Sequence, residues 1–125
     1  MNFSVILEVK GIRYYEAPEL RQSGALTAGL RVTLMHQADN PHDPSAVAIK
    51  LIATGAMLGY ISRKSAKKYS TLVDNGKIIE AYTYSVSDQS KAVRVRIRVV
   101  YDKDESLDWG QNREFRSLLW VSAST

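Results

Sequence analysis

Four groups of residues in this 125-residue chain have types and spacings that can do chemistry. The first is Arg13, Tyr14 and Tyr15, directly after Gly11 and Ile12. Single-stranded nucleic acid calls for cations against phosphates and rings against unstacked bases, each stack worth about 1–3 kcal/mol. Strand alternation puts Tyr14 and Tyr15 on opposite sides, one in the core and one at the surface. The second group is His42 and Asp43, inside the run Asp39-Asn40-Pro41-His42-Asp43-Pro44. A carboxylate held on a loop can accept a hydrogen bond from a ligand hydroxyl, and a ring beside it can stack on a sugar or base. Turn chemistry alone accounts for Asp39 and Asn40. The third group is Tyr60, Arg63 and Lys64. Arg63 and Lys64 stand at a helix start, where their charge opposes the macrodipole and where backbone amides are ready donors to phosphate. The competing reading is plain surface placement, which costs only about 0.3–1 kcal/mol. The fourth group is Arg94, Arg96 and Arg98, alternate residues on one strand. Three guanidinium groups on one face repel unless solvated, paired or neutralised. A solvated face, paired with Glu80 or the acidic C-terminal residues, competes with an anion-binding one.

The charge around these groups is uneven. The chain holds 17 basic and 13 acidic residues, a formal charge of +4. Between Lys50 and Lys103 there are eleven basic residues against four acidic ones, a net +7. A basic middle in a small domain is a footprint of phosphate binding. Cysteine is absent, which excludes disulfides, thiolate metal sites and a cysteine nucleophile. A metal reading of Asp39, His42 and Asp43 lacks any known ligand spacing, with only His36 to add a second imidazole. There is no serine–histidine–aspartate order, no glycine-rich phosphate loop and no helical carboxylate pair. We therefore expect no enzyme and no cofactor. No apolar run approaches the roughly 20 residues of a membrane span, and Met1-Asn2-Phe3-Ser4 lacks the order of a secretion signal. A cytoplasmic protein with no membrane partner is the expectation.

These groups must be positioned by a sheet. Apolar, β-branched Phe3–Val9 reads as a first strand, Leu30–Met35 as a second, Ala46–Leu51 as a third and Met57–Ile61 as a fourth. Prolines 41 and 44 keep the intervening run out of any ladder. Ser62 can cap a helix over 63–74 with Ala66, Tyr69, Leu72 and Val73 inward, stopped by Asn75-Gly76. Ile78–Val86 and Ala92–Tyr101 read as two longer strands joined at Ser87-Asp88-Gln89-Ser90. Val93, Val95, Ile97 and Val99 point one way and the three arginines the other. Ala17–Gln22 reads as a helical turn. The fold expected is mainly β: a small OB-like antiparallel β-barrel of about six strands, one clear α-helix and short helical turns. The barrel domain covers 1–102. A C-terminal extension, 103–125, is too apolar at Trp109, Phe115, Leu118, Leu119, Trp120 and Val121 for a free tail and is expected to pack on the sheet.

The chain resembles the HIRAN domain family. The matching pieces are Gly11-Ile12-Arg13-Tyr14-Tyr15, the block from Asp39 to Ile49, the block from Gly55 to Arg63, then Ala66 and Leu72-Val73-Asp74. They keep the family's order and spacing over about residues 5–100. The family occurs at the front of SWI/SNF-type fork-remodelling helicases, a DNA-repair context, and as stand-alone bacterial proteins. The resemblance implies an OB-like barrel that captures the free 3′ end of single-stranded DNA. It implies that Asp43 receives the terminal 3′-hydroxyl, that Tyr14 packs on the end nucleotide, and that Arg13 and Arg63 contact nearby phosphates. His42 stands where DNA-binding members carry tyrosine, and Tyr60 where such a member has histidine. The site expected is thus Arg13, Tyr14, His42, Asp43, Tyr60, Arg63 and Lys64. The function expected is a non-catalytic nucleic-acid-binding module. The alternative is a protein-interaction or scaffold domain whose partner, or second copy, meets the C-terminal tail.

Overall fold

A computed structural model describes residues 2–89 and 92–102; the side chains of Arg13 and Gln89 lie outside that description. Strand β1 (Asn2–Glu8) runs antiparallel to β6 (Ala92–Asp102), which in turn pairs with β5 (Ile78–Gln89). A second antiparallel sheet holds β2 (Val32–His36), β3 (Val47–Leu51) and β4 (Met57–Tyr60) in that order. Helix α1 spans Ala17–Gln22 and helix α2 spans Arg63–Asp74.

The expected closed barrel is corrected to two three-stranded sheets. Single residue bridges join their edges: Lys10 with Tyr60, and Arg31 with Tyr82. The physical reason lies next to those bridges. Gly11, at φ +72°, turns the chain out of line just after Lys10, so β1 cannot extend along β4. Strand β4 itself is four residues long. Gly59 lets the two backbones meet: a Cβ there would stand 2.4 Å from the Lys10 carbonyl oxygen.

The alternation read from β6 holds. Val95, Ile97 and Val99 are fully buried, and Arg94 and Arg96 are exposed. They meet Val47, Ile49 and Leu58 of the second sheet, all fully buried, in one apolar cluster. Each such side chain contributes about 1.5–3 kcal/mol by leaving water. The buried Thr83 hydroxyl donates to the Thr27 carbonyl at 2.7 Å and accepts from the Leu30 amide at 2.8 Å, so its burial leaves no polar atom stranded.

Helix α2 closes one end of the core. It has the predicted bounds and buries Ala66, Tyr69 and Leu72. Tyr69 meets Tyr101 edge-on at 6.1 Å, and burial pushes its phenol up to about 12. Past Asn75, Gly76 at φ +66° donates to Val73, and Lys77 donates to Leu72. Two local expectations are corrected. Ser62 occupies the N-cap without a side-chain bond; its carbonyl accepts from Ser65 at 3.0 Å instead. Ser87, Asp88 and Gln89 belong to β5 rather than to the connection, pairing with Arg94, Val93 and Ala92. The extension 103–125, with its aromatic residues, lies outside the described residues.

Candidate functional site

Three chain segments meet where β1, β4 and α2 converge. Between them is an open cleft of about 320 Å³. The first wall is the segment after β1. Lys10 is fixed by reciprocal backbone bonds with Tyr60, at 2.8 and 2.9 Å. Gly11 then starts one 3-10 turn over Ile12–Tyr14, with the Tyr14 amide donating to Gly11 and the Tyr15 amide to Ile12. This turn overrides the expected alternation. With three residues per turn in place of two, Ile12 packs inward while both tyrosines reach the surface, 70% exposed at Tyr14 and 38% at Tyr15. Neither ring is core. The turn is tied down behind by Glu16, whose amide donates to the Met57 carbonyl and whose carboxylate accepts from the Met57 amide at 2.9 Å.

The second wall is the β2–β3 loop. The Asn40 side-chain oxygen accepts from the amides of His42 at 2.9 Å and Asp43 at 3.1 Å, an Asx-type turn that fixes both residues. Asp43 repeats the device: one carboxylate oxygen accepts from the Ser45 amide at 2.9 Å. Its other oxygen stands 3.9 Å from Arg63 Nε. The loop is also pinned from below. His36 Nδ1 meets both Asp74 oxygens at 2.9 and 3.0 Å, and its Nε2 meets the Pro44 carbonyl at 2.7 Å. With an acceptor at each ring nitrogen, the imidazole is held above its ordinary pKa, first by the Asp74 hydrogen bond and then by the Pro44 carbonyl.

The third wall is the end of β4 and the start of α2. Tyr60 donates its hydroxyl to Gln37 Oε1 at 2.7 Å, and the same oxygen accepts from Asn40 Nδ2 at 3.0 Å. Gln37 therefore couples the tyrosine to the loop. Tyr15 lies against Tyr60, ring centroids 5.8 Å apart and tilted by 58°. Burial, then the neighbouring Tyr60, raises the Tyr15 pKa, so its hydroxyl stays protonated at neutral pH. Arg63 crosses to the loop, with Nη2 donating to the His42 carbonyl at 3.2 Å. Its side chain is 73% exposed, leaving most of the guanidinium fork to the solvent.

Of the residues predicted from sequence, Tyr14, His42, Asp43, Tyr60 and Arg63 line this one cleft. Lys64 is exposed and does not line it. The Arg13 side chain lies outside the described residues, and so do Trp109, Phe115 and Trp120, on which the protein-partner expectation rests. Sequence reasoning left Lys10 and Gln37 out of the site. Neither position carries a sequence signature; the Lys10–Tyr60 bridge and the Gln37 hydrogen bonds select them. Among the described residues, no group of three His, Cys, Asp or Glu side chains could hold a metal ion, so Asp39, His42 and Asp43 do not assemble as ligands.

The arginine stripe lies elsewhere, on the outer face of the first sheet. Arg94 donates from Nε and Nη2 to one oxygen of Glu8, at 3.0 and 2.9 Å. Glu8 is held below the usual carboxylate range chiefly by that bond, against an opposing push from burial. Arg96 donates to the Ser85 hydroxyl and Arg98 to that of Ser4, each at 3.0 Å. The expected pairing with Glu80 is corrected: the register sets Glu80 opposite Val100, and it pairs with Arg31 at 3.3 Å. No described helix is long and apolar enough to cross a membrane.

Among curated proteins none matches the chain. Two solved structures share its fold. The crystal structure of the HIRAN domain of human HLTF matches at a TM-score of 0.62 and 20% identity, over 84% of this chain and 80% of that one. A protein from Lactobacillus plantarum matches at a TM-score of 0.55 and 23% identity, over 82% of this chain and all of that one. The family model for the HIRAN domain matches residues 2–104, which include every described residue, and the chain belongs to that family.

Proposed function

We propose that this protein is a non-catalytic module that binds nucleic acid and grips single-stranded DNA at its free 3′-hydroxyl end. One observation carries the reading. Asp43 lines a cleft shared with Tyr14, His42, Tyr60 and Arg63, with one carboxylate oxygen bonded to the Ser45 amide and the other 3.9 Å from Arg63 Nε. The fixed oxygen orients the carboxylate, and the second accepts a hydrogen bond from a terminal hydroxyl. Tyr14, 70% exposed, offers a face to the last base or sugar. The outward fork of Arg63 meets the adjoining phosphate. The cleft volume of about 320 Å³ falls within the range of small-ligand sites.

Discrimination comes from chain termination. An internal phosphodiester has no hydroxyl to donate, and an acceptor left unmatched in the complex costs about 1–3 kcal/mol. Base edges play no part, so little sequence preference follows. The test is a fluorescence-anisotropy titration with short oligonucleotides bearing a 3′-hydroxyl or a 3′-phosphate. Tighter binding of the free end is the expected result; equal binding of the two removes end capture.

A further inference from the structure

The outer face of the first sheet reaches the cleft through one residue, Lys10. Lys10, which lines the cleft, has its Nζ 3.7 Å from one Glu8 oxygen, and Arg94 holds the other. From Arg94 the stripe runs on along β6 through Arg96 and Arg98. Alternate residues there are about 7 Å apart, twice the strand rise of about 3.4 Å. Glu8 stands opposite Arg96 in the β1–β6 register, and its two oxygens are taken by Lys10 and Arg94. Among the described residues Arg96 and Arg98 form no ion pair with a carboxylate; each donates to a serine hydroxyl, which orients the guanidinium and is itself neutral. Rings flank the stripe. Tyr82 stands directly opposite Arg98 in the β5–β6 register, hence on the same face. A bulge between Thr83 and Ser85 leaves Tyr84 without a register partner and 44% exposed beside Arg96.

We infer that this face is a second segment of the nucleic-acid site: a track on which the phosphodiester backbone of a single strand, its end held in the cleft, runs from Lys10 past Arg94 to Arg96 and Arg98. The inference rests on the end-capture reading for where the strand begins. The occupant follows from charge and shape. Cations at regular spacing along a line match the repeating anion of a phosphodiester chain, and the tyrosines match its bases. The track adds affinity with oligonucleotide length and adds no base preference.

The test is anisotropy on the full chain with 5′-labelled oligothymidylates of increasing length, 3′-hydroxyl or 3′-phosphate, at several salt concentrations. The comparison is with the double variant Arg96→Gln/Arg98→Gln, which leaves the Glu8–Arg94 pair in place. Its thermal midpoint is measured alongside. The wild type binds longer oligomers more tightly. The variant loses about tenfold on the longest and nothing on the shortest, and its log–log salt slope falls by about 1.4, two phosphates at about 0.7 each. Arg96→Lys/Arg98→Lys restores most of the gain, because a phosphate contact needs the charge rather than the fork. If short oligomers prefer the free 3′ end but length adds nothing, or the gain survives in the Gln variant, the track is overturned and end capture stands. If no 3′-end preference appears but long oligomers bind through Arg96 and Arg98, end capture falls and the track stands. If no oligomer binds the wild type, both fall.

Discussion

Arg63 Nη2 donates to the carbonyl oxygen of His42 at 3.2 Å, tying the first turn of α2 to the β2–β3 loop across 21 residues of chain. The same arginine stands 3.9 Å, through Nε, from Asp43. A cation that opposes the macrodipole of its own helix is thus placed over the loop that holds the acceptor. That relationship makes the cleft one site rather than two neighbouring surfaces.

Asp43→Ala removes the acceptor and the bond to the Ser45 amide together. It is expected to abolish the preference for a 3′-hydroxyl over a 3′-phosphate and to weaken free-end binding by about tenfold or more, as a charged hydrogen bond of about 1.5–3 kcal/mol is lost. Asp43→Asn keeps a side-chain oxygen for the Ser45 amide and should retain more of the fold's stability. Anisotropy and urea denaturation on both variants separate the two roles.

Gly59→Ala forces a Cβ to 2.4 Å from the Lys10 carbonyl and 2.7 Å from Val9 Cγ1, at φ +155°. Overpacking and backbone strain each cost about 1–3 kcal/mol, so the loss is about 3 kcal/mol. The Lys10–Tyr60 bridge, one of two between the sheets, sits at this point, and binding in the cleft should fall with it. Denaturant midpoints together with anisotropy measure both effects.

Tyr60→Phe deletes the hydroxyl that donates to Gln37 while leaving the ring against Tyr15. Gln37 keeps its bond from Asn40. The expected loss of stability is about 1 kcal/mol. Faster amide hydrogen exchange at Asn40, His42 and Asp43 would report the loosened loop. Unchanged exchange there would refute the coupling through Gln37.

The His36 clamp should make stability fall on the alkaline side. Its folded pKa is raised above the ordinary histidine value of 6.5, first by the Asp74 hydrogen bond. The contribution is therefore full below about pH 6.5 and is lost as pH rises through the higher folded value. The stability difference between wild type and His36→Gln should be larger at about pH 5.5 than at about pH 8.5. Equal differences at the two pH values would mean that the imidazole is not held as the cation.

Much of this protein is determined by its sequence alone, and the reason is local. Helix α2 follows from the spacing of Ala66, Tyr69 and Leu72 and from a glycine stop. The two faces of β6 follow from strict alternation, and the Asp39–Pro44 loop from residues that cannot enter a ladder. Five members of the cleft were legible because they sit in short runs with their own chemistry. Tertiary structure decided what depends on residues far apart in the chain. It replaced a closed barrel with two sheets joined by single bridges, because Gly11 turns β1 aside. It brought Tyr15 to the surface, since a 3-10 turn overrode strand alternation there. It also chose Glu8 for Arg94, 86 residues away, and Gln37 for Tyr60. A glutamate in a strand or a glutamine after one gains a role only from the side chain that the fold sets against it.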